Sequence, residues 1–322
     1  MNRRLKVAVI GVGHLGSYHA EKYEDIESVE LVGVVDTNYQ RAKEIAAKYG
    51  TKAYQDYKEI LDKVDAVSIA VPTEAHHEVA ENVLNSGIHV LIEKPITYEL
   101  ERADVLIDLA NKMNLILQVG LVERFNPAIV KMQELLDCPY LLESHRMNLF
   151  TPRGTDVDVV LDLMIHDLDI ILHSVQSEVK ELHAVGMSII TDKTDIANAR
   201  LIFENGTVAN LTASRISNEM LRKIRVFQPG SYISANCGKK KITVVRLDNA
   251  VLNSNHFPQL DSDTTDFPRS DALAEEVLSF VNTVKNGIRP VVSGEDGRRA
   301  LKYALEIIDQ IKKGSRKFHT VC

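Results

Sequence analysis

LKVAVIGVGHLG, residues 5–16, decides the fold. An apolar run at 5–10 passes directly into Gly11-x-Gly13-x-x-Gly16, and an amphipathic stretch, HLGSYHAEKYE, follows. A strand feeding a glycine turn that opens a helix is the context in which this spacing has a mechanism. The first glycine permits the tight turn, the second lets backbone approach a pyrophosphate, and the third lets helix and strand pack closely. The helix N-terminus favours the negative charge. Gly11, Gly13, His14, Leu15 and Gly16 are therefore the expected contacts of a dinucleotide. Asp36 ends the next apolar run, twenty positions after Gly16, where a carboxylate accepts hydrogen bonds from the adenosine ribose. That charge repels a 2′-phosphate, so NAD is expected over NADP, although Arg41 lies close enough in sequence to keep NADP as the lesser alternative.

The same alternation continues outward. Further strand-like runs occur at 29–36, 64–71, 88–93 and 115–120, separated by helical stretches NYQRAKEIAAKYG, EAHHEVAENVLNSG and TYELERADVLIDLANKMN. Strict alternation with near-continuous apolar strands predicts a doubly wound parallel sheet, the Rossmann arrangement. After Gly120 the pattern changes. Asn126-Pro127 reads as a helix start, YLLESHRMN as a strand, and 179–246 as a run of antiparallel strands, with Asn205-Gly206 as a hairpin turn. Two helices are expected at 269–286 and 294–313. The fold class is α/β: an N-terminal Rossmann domain over 1–121, then an α+β domain with an open, mostly antiparallel sheet over 122–322.

Composition narrows the function. The chain of 322 residues has a net charge of -7, which argues against nucleic acid or an anionic membrane as partner. No stretch has the apolar length of a membrane span. The basic start and short apolar run pass into the glycine loop with no small-residue cleavage site, unlike a signal peptide. Cys138, Cys237 and Cys322 are odd in number and far apart, which fits a reducing cytoplasm.

Two further stretches carry chemistry. The run 88–93 ends in Glu93, followed by Lys94-Pro95, and ligands of such sheets sit beyond the carboxyl ends of the strands. Lys94 is then placed beside the nicotinamide end of a cofactor. VVLDLMIHDLDI, residues 159–170, is strongly apolar yet carries Asp162, His166, Asp167 and Asp169. Asp162 and His166 are i and i+4 and share a helix face, with Asp169 and His173 continuing the same side. Thr155 or Asp156 is the expected cap. A histidine beside a carboxylate can take a proton from a secondary alcohol while the carboxylate orients the ring. On this reading Asp169→Asn matters little. A metal site is not expected: His166 and His173 are two turns apart and HExxH is absent.

Together, the glycine loop, Glu93-Lys94-Pro95 and Asp162-x-x-x-His166 resemble the signature of the Gfo/Idh/MocA oxidoreductases, over nearly the whole chain. The resemblance implies that Lys94 touches both cofactor and substrate hydroxyl, and that Lys94, Asp162 and His166 are the catalytic group. It also implies that Pro72, Thr73, His76, Glu93, Arg124 and Asn126 lie at the cofactor, and that the open sheet pairs into a homodimer or homotetramer. The open face is expected to carry alternating apolar residues that need a partner. The phrase PRGTDVDVVLDLMIHDLD is similar to the branch acting on nucleotide-linked amino sugars such as UDP-N-acetylglucosamine, oxidised at carbon 3. Arg153 is then a candidate for the substrate diphosphate, with Arg146 as a second. Free sugars or polyols such as inositol remain alternative substrates, and a non-catalytic dinucleotide-binding regulator remains an alternative role. The direction of the reaction stays open, since the same groups can give or take the proton.

Overall fold

Six strands pair in parallel in the computed structural model, which describes residues 3–151, 157–252 and 258–318. They are β1 (Leu5–Ile10), β2 (Val29–Val35), β3 (Lys52–Tyr54), β4 (Ala66–Ile69), β5 (His89–Glu93) and β6 (Leu117–Gly120). Their spatial order is β3-β2-β1-β4-β5-β6, so the order reverses between β1 and β4. Both faces are covered: Val7, Ala8, Val9, Val67, Val90 and Leu91 are fully buried, as near-continuous apolar strands require. The helices α1 (His14–Glu24), α2 (Tyr39–Lys48), α3 (Thr73–Asn85) and α4 (Leu100–Met113) fall where the sequence places them. The short edge strand β3 was not expected. Its KAY is partly exposed and too short to show a period, and it owes its conformation to pairing with β2.

The chain divides into two units, Met1–Val122 with Asp271–Leu301, and Glu123–Ser270 with Lys302–Cys322. Residues 271–301 thus pack with the first 122, whereas a contiguous division assigns them to the second domain. The reason is apolar burial. Helix α7 (Ala272–Asn286) buries Val277, Phe280 and Val281 in one cluster with Val7, Val9, Ala20 and Leu91.

The second unit has an eight-stranded sheet. Its strands are β7 (Leu141–Met147), β8 (Val179–Met187), β9 (Ile196–Phe203), β10 (Val208–Ser214), β11 (Leu221–Gln228), β12 (Ser231–Asn236), β13 (Lys241–Leu252) and β14 (Pro258–Asp266). The order is β14-β13-β12-β11-β7-β10-β9-β8, antiparallel throughout except for the β7–β10 pair. Gly206, at φ 86°, makes the expected turn between β9 and β10. Strict alternation sends Ala197, Ala199, Leu201 and Phe203 of β9 inward. Helices α5 (Pro127–Glu134) and α6 (Ile165–Ser174) pack on the sheet, and α8 (Gly294–Phe318) closes the chain.

The opposite face differs from expectation. Val185 and Met187 of the edge strand are exposed, but the centre is a polar ladder rather than an apolar alternation. Asn198 pairs with Thr212 at 2.8 Å, Arg200 with Asn210 at 3.0 Å, and Arg225 with Glu143 at 3.5 Å. Cross-strand pairs of this kind stabilise the centre of that face, and the exposed apolar pair stands at its edge.

Candidate active site

In the first unit the structure brings the predicted cofactor residues to one edge of the parallel sheet. Gly11 has φ 84°, and a Cβ there meets Ala70 and Val71 backbone at 2.8 Å. A Cβ on Gly16 falls 1.8 Å from the Gly11 carbonyl oxygen. A Cβ on Gly13 meets nothing within 4 Å. These are the three demands of a pyrophosphate cradle: a turn, close helix packing and an open backbone, and the residues present fit the dinucleotide. Gly13 starts α1 with no side-chain cap, so the first amides face outward. Asp36 sits beside the turn, accepting the Val12 amide at 3.0 Å through one oxygen and the Asn38 amide at 2.9 Å through the other. Arg41 reaches back to the same turn, donating to the Val12 and Gly13 carbonyls at 2.9 and 3.3 Å. Leu15 stays exposed on the first turn of α1, and the His14 ring stacks edge-on to Tyr18.

The turn after β4 and the corner after β5 complete this edge. Pro72 precedes α3 and Thr73 is its first residue. His76, one turn on, is buried, with Nδ1 2.9 Å from the Pro95 carbonyl and Nε2 3.0 Å from the Val71 carbonyl. Burial pushes its pKa down, so the ring is neutral and one N–H donates. It ties the turn after β4 to the corner after β5, at the edge where the cofactor is expected. The Lys94-Pro95 peptide is cis, and Lys94 is partly exposed at the end of β5. Glu93 points inward, with Oε1 2.9 Å from His19 Nε2.

In the second unit the opening of the candidate helix is not α-helical. Val160–Met164 forms a π-helical turn that runs into α6. Asp158 accepts the Val160 amide at 3.0 Å and so supplies a start signal; the expected caps Thr155 and Asp156 lie outside the described residues. From Val159 to Leu172 every side chain is buried except Asp162 and His166, which are both half-buried. Two polar groups reaching the surface of an otherwise buried helical run are what a cleft-facing pair requires. A π turn is itself a feature that recurs at functional positions.

The rest of the predicted polar side departs from expectation. Asp169 is buried and forms a two-point pair with Arg124, at 2.8 and 2.9 Å. Arg124, expected at the cofactor, is 3% exposed and anchors α6 through this pair. His173 is exposed. Arg146, a candidate for diphosphate, is also buried; it donates to Asp167 at 2.6 Å and to Glu123 at 2.7 Å. Burial lowers its pKa, and the Asp167 and Glu123 carboxylates more than reverse this. Burial raises the Glu123 carboxyl, and Arg146 and Arg222 pull it below the usual carboxylate range. Asn126, also expected at the cofactor, caps α5 through the Ala128 amide and donates to Glu123 and to the Cys237 carbonyl. Arg153 lies outside the described residues.

Sequence reasoning missed the partners of these arginines, and missed that His19 meets Glu93 and Glu276 inside the first unit. A signal existed for Glu276. It lies one turn before Phe280 and one residue before Val277, on the apolar side of α7.

Comparison with known proteins agrees with the geometry. Residues 5–121 match the profile described as "Oxidoreductase family, NAD-binding Rossmann fold", and 139–228 match the Gfo/Idh/MocA C-terminal domain. The chain is 40% identical over 305 residues to UDP-N-acetylglucosamine 3-dehydrogenase of Acidithiobacillus ferrooxidans, covering 94% of this chain and 96% of that one. A solved structure of that enzyme superposes with a TM-score of 0.90 at 38% identity, over 96% of this chain and 98% of the other. Myo-inositol 2-dehydrogenase of Thermotoga maritima is 28% identical, over 92% of this chain and 93% of its own.

Proposed function

As a member of the Gfo/Idh/MocA oxidoreductase family, with an NAD-binding Rossmann domain, this chain, we propose, oxidises carbon 3 of a nucleotide-linked amino sugar of the UDP-N-acetylglucosamine type. NAD supplies the hydride acceptor. The chemistry removes a hydride from the carbon and a proton from its hydroxyl, leaving a ketone. Nε2 or Nδ1 of His166 takes that proton, and Asp162 holds the ring and stabilises its cationic form. The role assigned to the Lys94 ammonium is to stabilise the charge that would develop on the hydroxyl oxygen. Asp36 selects NAD over NADP by facing the ribose hydroxyls.

The observation that carries this reading is the pair Asp162 and His166, the two residues from 159 to 172 that are not buried. A dinucleotide-binding regulator has no use for a histidine and a carboxylate held at the surface of a buried helix. The substrate class rests on similarity: the sugar-nucleotide relative is 40% identical, against 28% for the inositol enzyme. The three widely spaced cysteines support a cytoplasmic setting, and among the described residues no helix is long and apolar enough to cross a membrane. The exposed Val185 and Met187 of β8 support a homodimer or homotetramer through the open sheet, which light scattering at micromolar concentration tests.

The deciding experiment is NADH formation from NAD with UDP-N-acetylglucosamine, other nucleotide sugars, free sugars and inositol, with an aminotransferase added to draw off the ketone. Reduction of NAD by UDP-N-acetylglucosamine in preference to inositol is expected. Oxidation of inositol alone overturns the substrate class, and no reduction by any alcohol, with NAD bound, favours the regulator.

A further inference from the structure

Three titratable side chains from three elements meet in the interior of the first unit, next to the Glu93-Lys94-Pro95 corner. His19 of α1, Glu93 at the end of β5 and Glu276 of α7 each bring one nitrogen or oxygen within 4.8 Å of the others. Two of them are well connected. His19 Nε2 lies 2.9 Å from Glu93 Oε1, and its Nδ1 lies 3.1 Å from Ser68 Oγ, which in turn is 2.8 Å from the Tyr23 hydroxyl. Glu93 Oε2 accepts the Lys94 amide at 3.3 Å.

Glu276 is different. It is fully buried, and neither carboxyl oxygen has a hydrogen-bond partner among the described residues. Gln118 of β6, whose side-chain nitrogen donates to the Glu276 carbonyl at 3.3 Å, also leaves its Oε1 without one. An ionised Glu276 is then a bare buried charge beside the Glu93 carboxylate, the most costly arrangement for two such groups. A protonated Glu276 carries no such charge and brings a donor to the cluster, where the Glu93 carboxylate is an acceptor.

We propose that Glu276 stands in this cluster as a carboxylic acid and is a positioning residue for the Glu93–Lys94 corner. The groups that face it are His19 and Tyr23 from α1, Glu93 from β5 and Gln118 from β6. Burial, and then the Glu93 charge, push the Glu276 carboxyl well above the usual range. Burial also raises Glu93, but His19 and Lys94 outweigh it and hold Glu93 below that range. The two carboxyls are driven apart into one acid and one anion, as in other close carboxyl pairs. The consequence is that a single negative charge faces the base of Lys94. A second charge there draws the ammonium inward and away from the alcohol it serves.

The inference rests on the reading of Lys94 as a functional residue, so its test avoids the sugar substrate. Wild type, Glu276→Gln and Glu276→Ala are compared by NAD calorimetry and by melting temperature, from about pH 5 to about pH 9. A carboxyl whose folded pKa is raised keeps its proton when folded and releases it when unfolded. Its stabilising contribution is therefore full at low pH and is lost as pH rises toward the folded pKa. Wild type should lose melting temperature relative to Glu276→Gln as pH rises. Glu276→Ala should weaken NAD binding by roughly tenfold or more through misplacement of the corner, and Gln, an isosteric donor, should restore most of it. Wild-type affinity should also fall toward high pH while that of Glu276→Gln stays level. A Gln variant that is destabilised most at high pH overturns the acid assignment. So does a stoichiometric divalent metal in the wild type that the Gln variant lacks, since a ligand must be ionised. Glu276→Ala binding NAD as wild type does, at every pH, overturns the positioning role. Failure of every sugar to reduce NAD leaves these three results intact and counts only against the substrate reading.

Discussion

Asp169→Asn is the substitution on which the sequence and the structure disagree most. From helical spacing Asp169 belongs to the cleft-facing side, and its loss matters little. In the structure its carboxylate holds Arg124 by two hydrogen bonds of 2.8 and 2.9 Å, and both residues are at most 3% exposed. Asparagine removes the charge and points a donor at a guanidinium that has only donors. Breaking one partner out of a buried pair costs about 3–5 kcal/mol, because the remaining charge stays buried. For a unit of this size that is roughly 6–20 °C in melting temperature. Thermal melts, with hydrogen exchange at the α6 amides, measure it. The double replacement Arg124→Met with Asp169→Leu should recover most of the loss, since apolar residues of similar volume often replace a buried pair at no cost. A loss below about 1 kcal/mol, the range of exposed pairs, refutes the reasoning.

His166→Ala should keep NAD binding and melting temperature while turnover falls by roughly two to four orders of magnitude, with a smaller fall for Asp162→Asn; a destabilised but fully active His166→Ala sinks the assignment. Lys94→Ala should lower turnover and weaken NAD binding together, read by steady-state kinetics and calorimetry. Asp36→Ser should shift the ratio of NAD to NADP use toward NADP, and a wild type that already prefers NADP contradicts the role given to Asp36. Asp195 is buried and accepts the amides of Ile189, Ile190 and Thr191 at 2.7, 2.6 and 2.9 Å. Burial raises its pKa, but these amides and the Thr191 hydroxyl hold it down at about 2, from a usual 3.8. Its folded pKa is depressed, so its contribution of roughly 2 kcal/mol is present above the unfolded pKa and is lost as pH falls through about 2. Urea titrations in acid should show that loss in wild type and not in Asp195→Asn.

The parallel sheet was legible because its strands are continuous apolar runs and its turn carries three glycines with three separate steric reasons. The buried charges that anchor α6 were not. Arg124, Arg146, Asp167 and Asp169 are charged, and charge in a sequence reads as surface. Each is buried because its partner lies 21 to 45 residues away, a pairing that no local period encodes. The catalytic candidates were found by a helix rule applied to a segment that is partly a π turn; Asp162 and His166 still emerge as the half-buried pair, while Asp169, beyond the turn, does not follow. The return of α7 to the first unit was hidden for a similar reason. Its helical period was plain, but nothing in the period says which sheet it covers.

The π turn at Val160–Met164 has a consequence for sequence length. Such a turn holds one residue more than the α-helical turn it replaces, and that residue is absorbed without shifting α6. Removing one residue from this segment lets the turn close to α-helical geometry, and each residue of an α-helix accounts for about 100° of rotation. Arg124 and Arg146 fix α6 by its aspartates, so the rotation cannot pass downstream. It falls on the stretch before Ile165, whose residues take up a different register relative to His166. The spacing of that pair is thus kept by counting residues as well as by their identity. A chain shortened by one here would hold every residue type of the site and lose its arrangement.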